Sequence, residues 1–70
     1  ELKTKAGDKS SMATTLINLG NISYYKYNYQ GSLDYYYRAK LLFDEGNNKE
    51  GVGQCLNNIA IIYKAWGNIS

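Results

Sequence analysis

Apolar residues recur along the chain at three- and four-residue spacings, in three runs that short polar joints separate. Such spacing places apolar side chains on one face of an α-helix, so the pattern predicts three helices. The predicted apolar stripes are Met12, Leu16, Leu19 and Ile22 or Ser23 on the first helix, Leu33, Tyr36, Ala39, Leu42 and Phe43 on the second, and Val52, Leu56, Ile59, Ile62 and Tyr63 on the third. The sequence therefore predicts an all-α fold.

The first predicted helix begins near Asp8 or Ser10, because a short oxygen-bearing side chain there accepts hydrogen bonds from the free amides of the first turn. It should run to about Lys26 and break at Tyr27-Asn28. The second helix should begin at about Gln30.

The second joint, Gly46-Asn47-Asn48, ends the second predicted helix, since glycine and asparagine tolerate the left-handed backbone of a helix end. Asn47 or Asn48 then caps a third helix over about residues 49–66, and Gly67 terminates it.

The chain repeats itself at an offset of 40 residues. Residues 15–23 align with residues 55–63, with leucine on leucine, asparagine on asparagine and a small residue on a small residue. A period of this length is typical of stacked helical repeats. We therefore divide the chain into 1–6, the tail of a preceding helix; 7–46, one full helix-turn-helix repeat; and 47–70, the first helix and turn of the next repeat. This division implies a piece of a longer array.

The composition excludes several kinds of site. With one cysteine and no histidine, the chain can build neither a disulfide framework nor a Cys/His metal cluster, and a Cys-His nucleophile lacks its partner. The carboxylates Asp44, Glu45 and Glu50 cluster near a joint without a partner base, and there is no glycine-rich phosphate loop. We expect no catalytic residue, no metal and no cofactor, and we predict that the chain is not an enzyme.

The charge and hydropathy of the chain limit the kinds of partner that it can bind. A net charge of +2, from eight basic and six acidic residues spread along the chain, is too weak and dispersed to indicate nucleic acid or an anionic membrane. The longest apolar stretch, residues 59–63, is far short of the roughly 20 residues that span a bilayer. We predict a protein or peptide partner, with no nucleic-acid or membrane contact. The single unpaired cysteine favours the cytoplasm, with a periplasmic sensor segment as the alternative.

The repeat resembles the tetratricopeptide repeats, in the long variety found in kinesin light chains and in many bacterial regulatory proteins. The residues at the signature positions are Leu16, Leu19, Gly20, Tyr29, Ser32, Tyr36 and Ala39 in the first copy, and Leu56, Ile59, Ala60, Tyr63 and Gly67 in the second. The small residues among them would let paired antiparallel helices approach closely. Tyr27 departs from the pattern, since glycine usually ends the first helix there. A left-handed backbone at a non-glycine residue costs roughly 1 kcal/mol, so either Asn28 adopts that conformation or the turn is irregular.

The resemblance implies a solenoid of helix pairs, in which the first helix of each pair forms a concave wall that binds a peptide segment of a partner protein. Helical phase assigns to this wall Thr14, Ile17, Asn18, Asn21, Tyr24 and Tyr25 in the first copy, and Gln54, Asn57, Asn58, Ile61 and Lys64 in the second. In similar proteins an asparagine at this place in successive repeats hydrogen-bonds the peptide backbone, which suits an amide with both a donor and an acceptor. Asn18 and Asn58 are therefore the foremost candidates. Tyr24 and Tyr25 would add apolar contact area, and Lys64 would meet an acidic group.

The resemblance also implies a larger bacterial signalling or regulatory protein in which the array docks a partner. Three alternatives stay open. Asn18 and Asn58 could instead bond a neighbouring helix and hold the stack. The chain could be a structural spacer or a self-association repeat without a ligand, and we expect a cut array to pair with copies of itself. RNA could bind through Tyr24, Tyr25 and Lys26.

Overall fold

Three α-helices follow one another along the chain and are joined by two tight turns. The computed structural model describes the backbone of residues 5–69 and the side chains of residues 9–67. The helices are α1, Lys5–Tyr25; α2, Tyr29–Glu45; and α3, Lys49–Ile69. The predicted all-α fold is confirmed, since the described residues contain no strand.

The second helix is the centre of the fold. It packs against both α1 and α3, whereas α1 and α3 scarcely touch each other. The buried apolar core consists of Ala13, Ile17, Tyr29, Leu33, Tyr36, Ala39, Phe43, Cys55, Ile59 and Ile62. Full burial of one large apolar side chain stabilises the fold by about 1.5–3 kcal/mol, so the two interfaces of α2 carry most of the hydrophobic stabilisation.

The predicted stripe of α2 is confirmed. Leu33, Tyr36, Ala39 and Phe43 are buried, and Leu42 is partly buried against them. In the tyrosine run 35–37 only Tyr36 belongs to the core.

The predicted stripe of α1 is mostly wrong in phase. Leu16 is partly buried against the core, but Met12, Leu19 and Ile22 are exposed, while Ala13 and Ile17 are buried one position away. The physical reason is that α1 approaches α2 closely at the small residues Ala13 and Gly20, which contribute little to a hydropathy pattern. Met12, Leu19 and Ile22 form a second face of α1, which points away from α2.

Close approach at Gly20 explains this choice of face. A Cβ atom built at Gly20 would lie 2.6 Å from Cε1 of the Tyr36 ring. Ser32, which is fully buried, donates a hydrogen bond from its Oγ to the carbonyl oxygen of Gly20 at 2.8 Å. The predicted need for small residues at Gly20, Ser32 and Ala39 agrees with this packing.

The predicted stripe of α3 is only half right. Ile59 and Ile62 are buried and Val52 is partly buried, but Leu56 and Tyr63 are about half exposed. Cys55, which has a small side chain, is fully buried against α2 where the prediction had Leu56 and Tyr63. Ala60, the equivalent of Gly20, is exposed on the side of α3 that points away from α2, and its predicted close approach to a following helix stays a prediction.

The two turns have the same construction. The amide of Asn28 donates to the carbonyl of Ser23 at 2.8 Å, and the amide of Asn48 donates to that of Phe43 at 2.8 Å. In each turn the preceding residue has a left-handed backbone, with φ of 64° at Tyr27 and 58° at Asn47. These features define the Schellman motif, which satisfies the last carbonyls of a helix. The left-handed residue of the first turn is therefore Tyr27 itself and not Asn28.

An asparagine begins the helix after each turn. The Asn28 side chain accepts a hydrogen bond from the amide of Gly31 at 3.1 Å, and Asn48 accepts one from Gly51 at 2.9 Å. Of the two predicted caps of α3, Asn47 and Asn48, the cap is Asn48, and Asn28 repeats it 20 residues earlier.

The outer ends of the helices differ from the prediction. Asp8 and Ser10 lie inside α1 and do not cap it, and Gly67 lies inside α3 and does not end it. Gly67 lacks the left-handed backbone that ends α1 and α2. The predicted boundary between 1–6 and 7–46 falls within α1, and residues 1–4 lie outside the described residues.

Candidate binding surface

The two helices related by the 40-residue offset turn opposite faces toward α2. Helix α1 contacts α2 through Ala13, Ile17 and Gly20, whereas α3 contacts it through Cys55 and Ile59, whose equivalents on α1 are Thr15 and Leu19. Helices α1 and α3 lie on opposite sides of α2. If a translation relates α1 to α3, the two helices must therefore turn opposite faces toward α2. Equivalent positions on α1 and α3 therefore point to the same side of the molecule.

A mostly polar stripe runs along one side of each of these helices. On α1 it consists of Thr14, Asn18, Asn21 and Tyr25, and on α3 of Gln54, Asn58 and the apolar Ile61. With 3.6 residues per turn these positions share one side of their helix, between the face that meets α2 and the opposite face. We call this seven-residue surface the lateral face.

The foremost candidates, Asn18 and Asn58, occupy equivalent places on the lateral face. Asn18 is exposed and Asn58 is half-buried. Among residues 9–67, neither asparagine uses its side-chain amide in a hydrogen bond. Both side-chain amides are therefore available to a ligand, at places that recur with the 40-residue offset.

Asn21 is held by the fold. The hydroxyl of Tyr36 donates a hydrogen bond to Oδ1 of Asn21, which is half-buried. Burial is the main cause that raises the pKa of Tyr36, so this hydroxyl stays protonated and donates at neutral pH. Asn21 therefore joins α1 to α2 and has its amide nitrogen left for other contacts.

The other predicted site residues lie in three places. Tyr25 and Gln54 are exposed on the lateral face, whereas Asn57 and Lys64 are exposed on the side of α3 that points away from α2. Tyr24 is half-buried. Of the two accompanying isoleucines, Ile61 is half exposed, but Ile17 is buried in the core, so its predicted place on an exposed wall is wrong.

Aromatic rings gather at the end of the molecule where α1 turns into α2. The Tyr29 ring lies 6.0 Å from Tyr24, 6.4 Å from Tyr27 and 6.0 Å from Trp66, measured between ring centroids. Tyr25 extends this cluster toward the lateral face, with its ring 5.6 Å from Tyr24 and 76% of its surface exposed. Such pairs add about 0.5–1.5 kcal/mol each beyond burial.

A groove that the sequence prediction missed lies on α1. It has a volume of about 260 Å³, is open to solvent and is lined by Met12, Thr15 and Leu16. The signal that could have revealed it is the 40-residue offset, because Thr15 is the equivalent of the core residue Cys55.

Two further observations concern the described part of the chain. No group of three or more histidine, cysteine or acidic side chains there is arranged to hold a metal ion. None of its helices combines the length and hydropathy of a membrane-spanning segment.

Comparison with known proteins gives no match to a protein family, to a curated protein or to a solved structure.

Proposed function

We propose that this chain is a protein-interaction module of the tetratricopeptide-like class, which binds an extended peptide segment of a partner protein along its lateral face and catalyses no reaction. The observation that carries the proposal is the pair Asn18 and Asn58. They stand at equivalent places 40 residues apart, and their amides have no side-chain hydrogen bond among residues 9–67.

The chemistry of an asparagine pair suits an extended peptide. A peptide backbone that is not in a helix or sheet offers both N–H and C=O groups, and one carboxamide can accept from the first and donate to the second. Two such amides in register would fix the peptide at two points without selecting its side chains. Tyr25 and Gln54 would then supply contacts that depend on the peptide sequence.

The resemblance adds a context to this proposal. A docking segment of this kind would belong to a larger bacterial signalling or regulatory protein in the cytoplasm, with a periplasmic sensor as the second possibility.

Selection from a random peptide library displayed on phage, with the whole chain as bait, tests the proposed function. We expect enriched peptides whose affinity falls at least about tenfold for the Asn18→Ala/Asn58→Ala variant, because a lost hydrogen bond of about 1 kcal/mol per site adds over two sites. Asn57→Ala is the matched control, since Asn57 adjoins Asn58 but lies off the lateral face. Equal loss of affinity in the control, or none in the double variant, would contradict the proposal.

A structural spacer or self-association repeat is the second candidate, and the exposed apolar residues Met12, Leu19 and Ile22 on α1 favour it. Sedimentation equilibrium separates the two functions. An oligomer that forms at low concentration, together with a library selection that enriches no peptide, would favour the spacer.

A further inference from the structure

Exposed aromatic rings surround the first turn of the chain. Tyr25 and Tyr27 are 76% and 78% exposed, and Trp66 is 39% exposed. Tyr29 lies at the centre of this group, is buried, and has its ring against those of Tyr27 and Trp66. Tyr24 joins Tyr25 to this centre. We call these five residues the aromatic end. Exposed rings on a buried aromatic base form a platform on which flat groups can stack.

Tyr27 contributes less to the fold than its size suggests. Its backbone is left-handed, with φ of 64°, a conformation that is disfavoured for a residue with a Cβ atom. The equivalent residue at the 40-residue offset is Gly67. Apart from an edge contact with Tyr29, the Tyr27 ring is open to solvent. A side chain that keeps a disfavoured backbone and buries little of its ring indicates a role at the surface.

Basic side chains lie at the aromatic end. Lys26 is exposed, and both of its neighbours in the chain belong to the aromatic end. It takes part in none of the salt bridges found among residues 9–67. Lys64, near the end of α3, is also exposed. The aromatic rings therefore stand in a locally positive environment.

The acidic side chains of residues 9–67 lie elsewhere. Asp44, Glu45 and Glu50 flank the second turn, at the opposite end of the helices. Asp34 lies within α2 and pairs with Arg38 at 3.2 Å. The fold thus separates charges that are spread along the sequence, which the charge balance of the whole chain could not reveal. The aromatic end suits an anionic ligand, whereas a cationic one would be repelled by the lysines.

We propose that the aromatic end binds single-stranded nucleic acid, with bases stacked on the exposed rings of Tyr25, Tyr27 and Trp66 and a backbone phosphate held by Lys26. Stacking on an aromatic ring accepts any base, and a lysine meets a phosphate as a point charge, so we expect little sequence preference. Three exposed rings accommodate about two or three bases. The site borders the lateral face at Tyr25 but does not rest on the peptide binding proposed there.

The experiment is a titration of the whole chain with an oligomer of about ten uridines, or of about ten thymidines, followed by quenching of Trp66 fluorescence. Trp66 is the single tryptophan, so the signal reports on the aromatic end. We expect saturable quenching and an affinity that falls as salt rises, because phosphate binding releases counterions. Binding of either oligomer supports the proposal, and the tighter of the two identifies RNA or DNA as the source.

Tyr27→Gly removes one ring without endangering the fold, because glycine favours the left-handed backbone at this place. We expect the oligomer to bind this variant at least about fivefold more weakly, and the urea midpoint to be no lower than that of the natural chain. Asn47→Gly is the matched control, since Asn47 has the same left-handed position in the second turn, with φ of 58°, and carries no ring. This control should bind the oligomer as the natural chain does.

Lys26→Gln tests the phosphate contact. Loss of one contact to a single strand should reduce the slope of log affinity against log salt by about 0.7. Lys49→Gln, at the opposite end of the helices, should leave the slope unchanged.

The proposal is overturned if no saturable quenching occurs up to about 1 mM oligomer at low salt. It is also overturned if a double-stranded oligomer or an acidic peptide of equal charge binds as tightly, because the site then recognises charge alone. Binding to Tyr27→Gly that equals binding to Asn47→Gly would contradict it as well. Tyr27 and Lys26 lie off the lateral face, so none of these outcomes bears on the library selection.

Discussion

Glycine determines how closely the helices approach at single positions. The Tyr36 ring lies over Gly20, and its hydroxyl is held by Asn21, so the ring cannot move aside freely. Gly53, by contrast, has no atom within 4 Å of the place where a Cβ would be. Substitution of each of these two glycines by alanine therefore separates the effect of packing on stability from the effect of helix propensity.

Gly20→Ala should lower the free energy of unfolding by about 1–3 kcal/mol, because its methyl group overpacks the interface with Tyr36. Gly53→Ala should raise it by about 0.5–1 kcal/mol, because alanine loses less conformational entropy in a helix than glycine. Urea denaturation followed by circular dichroism measures both. A stabilised Gly20→Ala variant would disprove the close approach.

The buried thiol of Cys55 gives the stability a dependence on pH. Burial raises the pKa of Cys55, with a smaller opposing effect of Lys40. The neutral thiol is therefore favoured in the folded state. Its contribution is complete below the unfolded pKa, about 8.5, and is lost as pH rises through the folded pKa.

We expect the free energy of unfolding to fall between about pH 8 and pH 9.5, more steeply in the natural chain than in Cys55→Ala. Denaturation curves at several pH values test this sign. Equal slopes for the two proteins would show that the thiol does not titrate within the fold. Because burial also raises the pKa of Tyr36, which starts near 10, the comparison stops at pH 9.5.

At the scale of the elements, each turn ends one helix and begins the next with the same hydrogen bonds. The sequence predicted both breaks and the cap at Asn48, because asparagine and glycine have strong local preferences. It did not predict the left-handed backbone of Tyr27, since that conformation is disfavoured for a residue with a Cβ atom.

Asn48→Ala should lower the free energy of unfolding by about 1 kcal/mol, because the amide of Gly51 loses its acceptor. Asn48→Asp should retain most of the stability, since aspartate caps equally well. Thermal denaturation of both variants measures the difference. If the two variants melt together, the side-chain cap contributes nothing.

The phase of α1 shows why periodicity alone could not identify the core. Two apolar faces compete on this helix, and the one that carries Met12, Leu19 and Ile22 is the exposed one. The face with Ala13 and Gly20 is buried because α2 fits closely only there. On α2, by contrast, Leu33, Tyr36 and Phe43 offered one apolar face, and the prediction was right. The 40-residue offset alone predicts that Asn18 and Asn58 lie on the same side of their helices. The hydrogen bond between Asn21 and Tyr36, by contrast, depends on the tertiary packing.

At the scale of the whole molecule, stability depends on α2, since α1 and α3 scarcely touch. Tyr36 lies at its centre, 2% exposed. A chain of this length should have a total stability of about 0.05–0.15 kcal/mol per residue. Removal of one central aromatic ring is therefore comparable with the whole free energy of unfolding.

Tyr36→Ala should cost about 3–5 kcal/mol and leave the chain largely unfolded, with loss of helicity in all three helices. Tyr36→Phe keeps the ring and removes the bond to Asn21, so it should cost about 1 kcal/mol and leave the fold intact. Circular dichroism and Trp66 fluorescence report on both. Retention of native helicity and the native Trp66 signal in Tyr36→Ala would contradict the central role of α2.

Peptide binding at the lateral face is tested most directly by NMR of the side-chain amides of Asn18 and Asn58, during titration with a peptide enriched from the library. The proposed function predicts that both amide signals shift together and saturate at the same peptide concentration, while the Asn57 amide stays in place. A peptide that binds but leaves both signals unchanged would contradict it.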